Sequence, residues 1–108
     1  QGRRSKAEPM TTPYRIVWRP IAEADLDKLI DHIAEDKPIK AEEFGQELRA
    51  KVLPLAQYPK LGRTGRPGLP TFLRELVAHP TYIIFYRVLD EARIVEILRV
   101  KHTAQKTP

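Results

Sequence analysis

The chain has 108 residues, no cysteine and a formal net charge of +5 at pH 7. This length suits one domain with a modest core, and the missing cysteines exclude disulfides, cysteine-based metal sites and thiol nucleophiles. No apolar run approaches the ~20 residues that a membrane-spanning helix needs, and no signal peptide is visible, so we expect a cytoplasmic protein without a membrane partner. Residues 62–108 carry eight basic and four acidic side chains. That excess favours a polyanionic partner, either nucleic acid or an acidic protein segment.

The N-terminal half predicts a strand and two helices. The first 13 residues are polar and aperiodic, and we predict a disordered leader or arm there. Residues 14–19 would place Tyr14, Ile16 and Trp18 on one side of an extended chain, which predicts a strand. Helical stripes of apolar residues follow over residues 21–35 and 39–57, and their short linker predicts an antiparallel hairpin. Pro54 lacks the N–H that would continue the second helix, so we expect a kink or a separate last turn.

A loop rich in glycine and arginine, residues 62–68, follows the hairpin. Its glycines give the backbone freedom, and its arginines offer forked donors to phosphate or carboxylate groups. The loop lacks the lysine–hydroxyl ending of a P-loop and does not lie between a strand and a helix, which argues against nucleotide binding. A solvated connector and an anion contact both remain open.

The C-terminal half predicts a three-stranded antiparallel meander over residues 73–79, 82–89 and 93–101. These stretches are rich in β-branched and aromatic residues, and the loops between them are too short for crossover helices. The predicted fold class is therefore α+β: an N-terminal strand, a two-helix hairpin, and a meander, forming one curved sheet packed on the helices.

The faces of this sheet follow from an assumed register in which His79 opposes Tyr82 and Val88 opposes Ile94. Both faces are then apolar in the middle, and the helices can cover only one of them. We expect the other face to meet an acidic partner, because it would carry four cations beside Phe85, namely Arg74, Arg87, Arg99 and Lys101.

The sequence lacks the residues that most classes of catalytic site require. The only serine, Ser5, lies in the predicted leader, which excludes a serine triad. The histidines are dispersed without metal-ligand spacing, so we predict no metal and no cofactor; they are His32, His79 and His102. Glu75 and Glu96 flank Tyr86 in the assumed register, and we favour a structural Glu–Tyr network there over paired-carboxylate catalysis.

Metal-free RNA cleavage is the chemistry that remains. RNA carries its own nucleophile in the 2′-OH, so a protein needs only a base, an acid and cations that stabilise the pentavalent phosphate. Arg74, Arg87 and Arg99 could supply charge, with proton transfer by one of three residues, namely His79, His102 or Tyr82. The alternative is that these side chains only dock a macromolecule.

The ordered set of elements, ending in "ILRVKH", resembles the RelE/ParE superfamily of bacterial type II toxin–antitoxin toxins. The resemblance is carried by "DLDKLIDHIAED" (residues 25–36), "YPKLGRTGRPG" (58–68), "RELVAHPTYIIFYRV" (74–88) and "VEILRVKH" (95–102). It covers residues 14–105, which we predict to be a single toxin domain followed by a frayed tail at 106–108.

The resemblance implies a plasmid-stabilising toxin that arrests growth until a cognate antitoxin, with an acidic or amphipathic C-terminal segment, neutralises it. It also implies a dimer, or a heterotetramer with that antitoxin. RelE-like members cut mRNA on the ribosome, whereas ParE-like members poison DNA gyrase and are not nucleases. The implied target- or antitoxin-binding residues are Arg63, Arg66, Arg74, Phe85, Arg87, Arg99 and Lys101.

Two sets of residues bear on the choice between these mechanisms. Arg74 and His102 match RelE-like catalytic places, with Tyr82 and Arg87 as further catalytic candidates. The long hairpin and the Pro-x-x-Gly-Arg after it, residues 59–63, are closer to ParE. The lysines of the second helix are spread out and no tyrosine follows the final strand. We therefore expect gyrase inhibition, with ribosome-dependent mRNA cleavage as the alternative.

Overall fold

The computed structural model describes residues 12–103, and all structural statements refer to this range. The predicted leader lies almost entirely outside the described residues, and the predicted frayed tail lies entirely outside them. The elements in chain order are β1 (Arg15–Trp18), α1 (Pro20–Ala34), α2 (Pro38–Val52), a 3₁₀ turn (Leu53–Ala56), β2 (Arg74–His79), β3 (Tyr82–Leu89) and β4 (Ile94–His102).

The two helices form the predicted antiparallel hairpin. Pro20 and Pro38 each open a helix, where the missing proline N–H costs nothing. Arg49 near the end of α2 pairs with Glu23 in the first turn of α1, which requires opposite helix directions. The helices also approach closely, since a Cβ on Gly45 would lie 2.7 Å from the Cδ1 atom of Ile30.

Pro54 ends the second helix as predicted. The α-helical part stops at Val52, and Pro54 lies inside the 3₁₀ turn that follows. Leu55 in that turn is fully buried, so the turn is anchored in the core although it is separate from the helix.

One open mixed sheet packs on the hairpin, in the order β1-β4-β3-β2. The meander strands pair antiparallel, and β1 pairs parallel with β4. The α+β class is therefore confirmed. The sequence had not indicated which strand β1 would pair with, because its alternation gives a face but no neighbour. The core between sheet and helices includes Leu26, Phe44, Leu48, Val52, Leu55, Ile84, Tyr86, Val95 and Ile97. No helix within residues 12–103 is long and apolar enough to cross a membrane.

The assumed register of β2 and β3 was wrong over most of its length. His79 does oppose Tyr82, but a β-bulge between Val77 and His79 shifts every earlier pair. Arg74 therefore opposes Tyr86 and lies on the helix-facing side of the sheet. A bulge adds one residue to one strand, so it reverses the faces of all residues beyond it.

The register of β3 and β4 also differs from the assumed one. Arg93 adopts a positive φ of 54° and lengthens the turn, so Val88 opposes Val95 rather than Ile94. A second irregularity, between Phe85 and Tyr86, shifts the remaining pairs again. Together these features redistribute the charged side chains of the meander.

Candidate functional site

The three arginines predicted to share one face do not do so. Arg74 lies on the helix-facing side, where its guanidinium donates to the carbonyl oxygens of Gly62 at 2.6 Å and Lys60 at 3.3 Å. Arg87 opposes Glu96 and donates to its carboxylate at 2.5 Å. The prediction of a single cationic face is therefore wrong, because the bulge in β2 turns Arg74 to the other side of the sheet and carboxylates engage Arg87 and Arg99.

Arg99 is tied to the first helix instead. Its guanidinium binds the Asp25 carboxylate of α1 with two hydrogen bonds, of 2.8 and 3.0 Å. Asp25 also accepts the backbone N–H of Val100 at 2.9 Å. Burial acts to raise the pKa of Asp25, but the hydrogen bonds from Arg99 and Val100 and the nearby positive charges hold that pKa below its usual value. This ionised carboxylate therefore joins α1 to β4.

Sequence reasoning missed Asp25, although a signal was present. Asp25 lies three residues after Ala22 and one before Leu26, both fully buried, and so beside the apolar stripe of α1. A carboxylate at the margin of a helix stripe is costly to bury without a cationic partner, so this position predicts such a partner.

Two carboxylates lie on the sheet face away from the helices, and each is held by arginines. Glu75 is 6% exposed and accepts two hydrogen bonds from Arg66, one of 2.9 Å through Nε. Glu96 is 8% exposed and also pairs with Arg19 at 3.5 Å. The predicted network between these glutamates and Tyr86 is wrong, since the shifted register turns them to the opposite side of the sheet from Tyr86.

The glycine-rich loop is thus anchored to the sheet by Arg66. Gly65 and Gly68 adopt positive φ values of 89° and 85°, which the loop needs in order to turn back over β2. Arg63 remains 72% exposed at its side chain, with its guanidinium 3.7 Å from the Glu75 carboxylate. Phe85 is only 1% exposed, so it offers no surface to a partner, contrary to its predicted binding role.

At one end of β3, Tyr86 and Arg74 hold the turn before the glycine-rich loop; we call this arrangement the Tyr86 latch. The Gly62 N–H donates to the Tyr86 hydroxyl at 2.7 Å, and this hydroxyl donates to the Pro59 carbonyl at 2.8 Å. Burial raises the pKa of Tyr86, against the opposing effects of the Gly62 hydrogen bond and the Arg74 charge. The proline and glycine of the Pro-x-x-Gly-Arg stretch therefore supply the backbone atoms of the latch.

At the other end of β3, four rings cluster beside the β2–β3 turn. The ring centroid of Tyr82 lies 5.3 Å from that of Phe44, 5.6 Å from His79 and 5.5 Å from His102. The Thr81 N–H donates to His79 Nδ1 at 3.1 Å, which requires an unprotonated Nδ1 atom. A cavity of about 400 Å³ adjoins this cluster, with Lys37, Lys40, Glu43 and Glu47 in its lining.

The predicted catalytic residues are therefore divided. Tyr82 and His102 oppose each other across β3 and β4 and belong to this aromatic cluster. Arg74 belongs to the latch, and Arg87 is paired with Glu96 on the other face. Lys101, predicted to bind a partner, opposes Ile83 and is partly exposed. Among the described residues, no group of three or more His, Asp or Glu side chains is placed to hold a metal ion.

Comparison with known proteins identifies the family. The family model of the ParE toxin of type II toxin–antitoxin systems (parDE) matches residues 16–107. The chain belongs to the ParE toxin family. It is thus a type II toxin–antitoxin toxin of the RelE/ParE superfamily, as the sequence resemblance had indicated.

Relatives carry names from both branches of the superfamily. This ParE-family chain is 36% identical to Toxin RelE2 of Caulobacter vibrioides, over 84% of this chain and 97% of that protein. A chromosomal ParDE system from P. aeruginosa has a similar structure, with a TM-score of 0.71, 29% identity, and coverage of 84% of this chain and 97% of that one. The RelBE2 complex from Mycobacterium tuberculosis gives a TM-score of 0.53 and 27% identity over 84% of this chain and 92% of that one.

Proposed function

We propose that this ParE-family toxin arrests growth by binding DNA gyrase and inhibiting it, without cutting nucleic acid itself. The observation that carries the proposal is the engagement of the three candidate arginines. Stabilising a pentavalent phosphate needs cations that converge on one point and are available to the substrate. Arg74, Arg87 and Arg99 instead bind protein acceptors on three different elements.

The argument is strongest for Arg74, whose place resembled that of a catalytic arginine. Its guanidinium is directed at two backbone carbonyls of the turn, Lys60 and Gly62, and its charge opposes part of the rise that burial causes in the pKa of Tyr86. Moving Arg74 to a phosphate would leave the Gly62 carbonyl, whose contact with Arg74 is partly buried, without this donor, at a cost of about 1–3 kcal/mol. The hydrogen bonds by which Arg74 holds this turn therefore explain its position without a catalytic role.

The test is a supercoiling assay with purified toxin and gyrase holoenzyme. We expect inhibition of supercoiling at micromolar toxin, reversed by the cognate antitoxin, and double-strand breaks with SOS induction in cells. His102→Ala should leave the growth arrest intact, since the proposal gives His102 no chemical step. Gyrase that remains fully active at micromolar toxin would exclude this function.

The partner that neutralises the toxin is proposed to be a cognate antitoxin with an acidic or amphipathic C-terminal segment. The formal charge of +5 and the exposed Arg63 side chain support an acidic partner, and large apolar side chains such as Ile39, 73% exposed, support an amphipathic one. The related ParDE and RelBE2 structures are toxin–antitoxin systems. The proposal also places the toxin in the cytoplasm, where gyrase is found, in a dimer or a heterotetramer with the antitoxin.

The second candidate is ribosome-dependent mRNA cleavage, which the aromatic cluster supports. Tyr82 and His102 are adjacent, and the neighbouring cavity includes two lysines, Lys37 and Lys40. Aromatic rings beside cations can stack bases and hold phosphates. Translated messages should then be cleaved during arrest, and His102→Ala or Arg74→Ala should abolish both cleavage and arrest. Intact transcripts in arrested cells would remove this candidate.

A further inference from the structure

The turn from Tyr58 to Arg63 exposes two large apolar side chains. Tyr58 is 65% exposed and Leu61 is 56% exposed. The Leu61 N–H donates to the Tyr58 carbonyl at 3.0 Å, so the two residues lie at the ends of one tight turn. Lys60 and Arg63 in the same turn have side chains that are 61% and 72% exposed.

This turn is held firmly from the sheet side. The Tyr86 latch binds the Pro59 carbonyl and the Gly62 N–H, and Arg74 binds the carbonyls of Lys60 and Gly62. Arg63 continues the attachment by exchanging two backbone hydrogen bonds with Glu75, of 2.9 and 3.1 Å. The backbone is thus ordered before any partner arrives, which reduces the entropic cost of docking.

We infer that Tyr58 and Leu61 form the docking surface for the target protein, a surface that no comparison assigns. The inference rests on the proposed function, which makes that target gyrase. The turn suits an apolar recess edged by carboxylates, since Tyr58 and Leu61 would enter the recess while Lys60 and Arg63 face its rim.

A protein surface fits this turn better than a nucleic acid does. Lys60 already lies 3.6 Å from the Asp90 carboxylate, and Arg63 lies 3.7 Å from that of Glu75. These carboxylates offset part of the positive charge that a phosphate backbone would require. Tyr58 and Leu61, in contrast, are each more than half exposed and gain from burial against another protein.

The test compares a double variant with a matched control in the gyrase supercoiling assay. Tyr58→Ala/Leu61→Ala removes both anchors. Leu53→Ala removes a similarly exposed apolar side chain, 65% exposed, from the 3₁₀ turn. Loss of two anchor side chains should raise the toxin concentration for half-inhibition by at least about tenfold, whereas the control should stay within about twofold of the native toxin. Both should keep the native unfolding temperature, because the altered side chains are exposed.

Tyr86→Phe tests whether the latch positions the turn. This variant keeps Tyr58 and Leu61 but removes both hydrogen bonds of the Tyr86 hydroxyl, so the turn should become mobile. At a temperature where the variant is fully folded, we expect a loss of inhibition of about three- to tenfold. Tyr14→Phe is the control, because it removes a hydroxyl hydrogen bond to Asp90 that lies outside the latch, and it should inhibit as the native toxin does.

The outcomes separate the inference from the proposed function. If the native toxin inhibits gyrase and the double variant inhibits it equally well, the docking surface is wrong and the gyrase proposal stands. If the native toxin does not inhibit gyrase, both fail. An equal loss in Leu53→Ala would overturn the inference, and so would a defect confined to antitoxin binding or to binding of duplex DNA alone.

Discussion

Two tyrosines of β3, four residues apart, differ in what surrounds them. Tyr86 is fully buried, and its hydroxyl binds the backbone of the turn at Pro59 and Gly62. Tyr82 is partly exposed and packs by its ring against Phe44, His79 and His102 beside a cavity. The two residues are chemically identical and share a strand, so the difference comes from the elements that cover each end of the sheet. Those elements bury Tyr86 in a structural role and leave Tyr82 accessible.

The largest expected effect comes from filling the space beneath the latch. Gly62→Ala would place a Cβ 2.7 Å from the Glu75 carbonyl and from the Tyr86 ring, and neither can move away cheaply. We expect a loss of about 3 kcal/mol in the free energy of unfolding, measured by urea denaturation.

Gly65→Ala is the matched control for that variant, because a Cβ at Gly65 meets nothing within 4 Å and only the positive φ of 89° is strained. It should cost about 1 kcal/mol. Equal costs for the two variants would show that backbone conformation, and not the close approach to Tyr86, explains the glycine at position 62.

Removing one hydroxyl from each tyrosine compares the two ends directly. Tyr86→Phe leaves the buried Gly62 N–H without its acceptor, so we expect a loss of about 2 kcal/mol in the free energy of unfolding. Tyr82→Phe keeps the ring contacts and should change stability by less than about 0.5 kcal/mol. Urea denaturation of both proteins tests this, and similar losses would contradict the division of roles.

Apart from the control variants, the smallest expected effect concerns Asp25, which holds α1 to β4 just before the strand reaches His102. Asp25→Asn should lower the free energy of unfolding by about 1.5 kcal/mol at pH 7, because it replaces charge-assisted hydrogen bonds to Arg99 with neutral ones. Urea denaturation at a series of pH values measures this difference.

The pH dependence of that difference has a definite sign. The pKa of Asp25 is lower in the folded protein than in the unfolded chain, where it is about 3.9. The stabilisation is therefore complete above the unfolded pKa and is lost as the pH falls through the lower, folded value. The gap between native protein and Asp25→Asn should shrink below about pH 4. A gap that stays constant to pH 2 would show that the carboxylate charge does not stabilise the fold.

Local sequence patterns were sufficient to predict the order and the type of the secondary-structure elements. The apolar stripes predicted both helices, Pro54 predicted the break after Val52, and the β-branched runs predicted three antiparallel strands. These features depend on residues within a few positions of one another, so side-chain periodicity and proline geometry carry the information. The toxin family was likewise indicated by short stretches that keep their order along the chain.

The placement of charge needed contacts between distant parts of the chain. The extra residue of β2 between Val77 and His79 has no marker in the sequence, yet it puts Arg74 under the turn and Glu75 on the opposite face. The pairing of Asp25 with Arg99 joins residues 74 positions apart, and the parallel pairing of β1 with β4 spans a similar distance. Periodicity tells which side chains share a face of one element, but a bulge or a partner strand is chosen by the packing of the whole core.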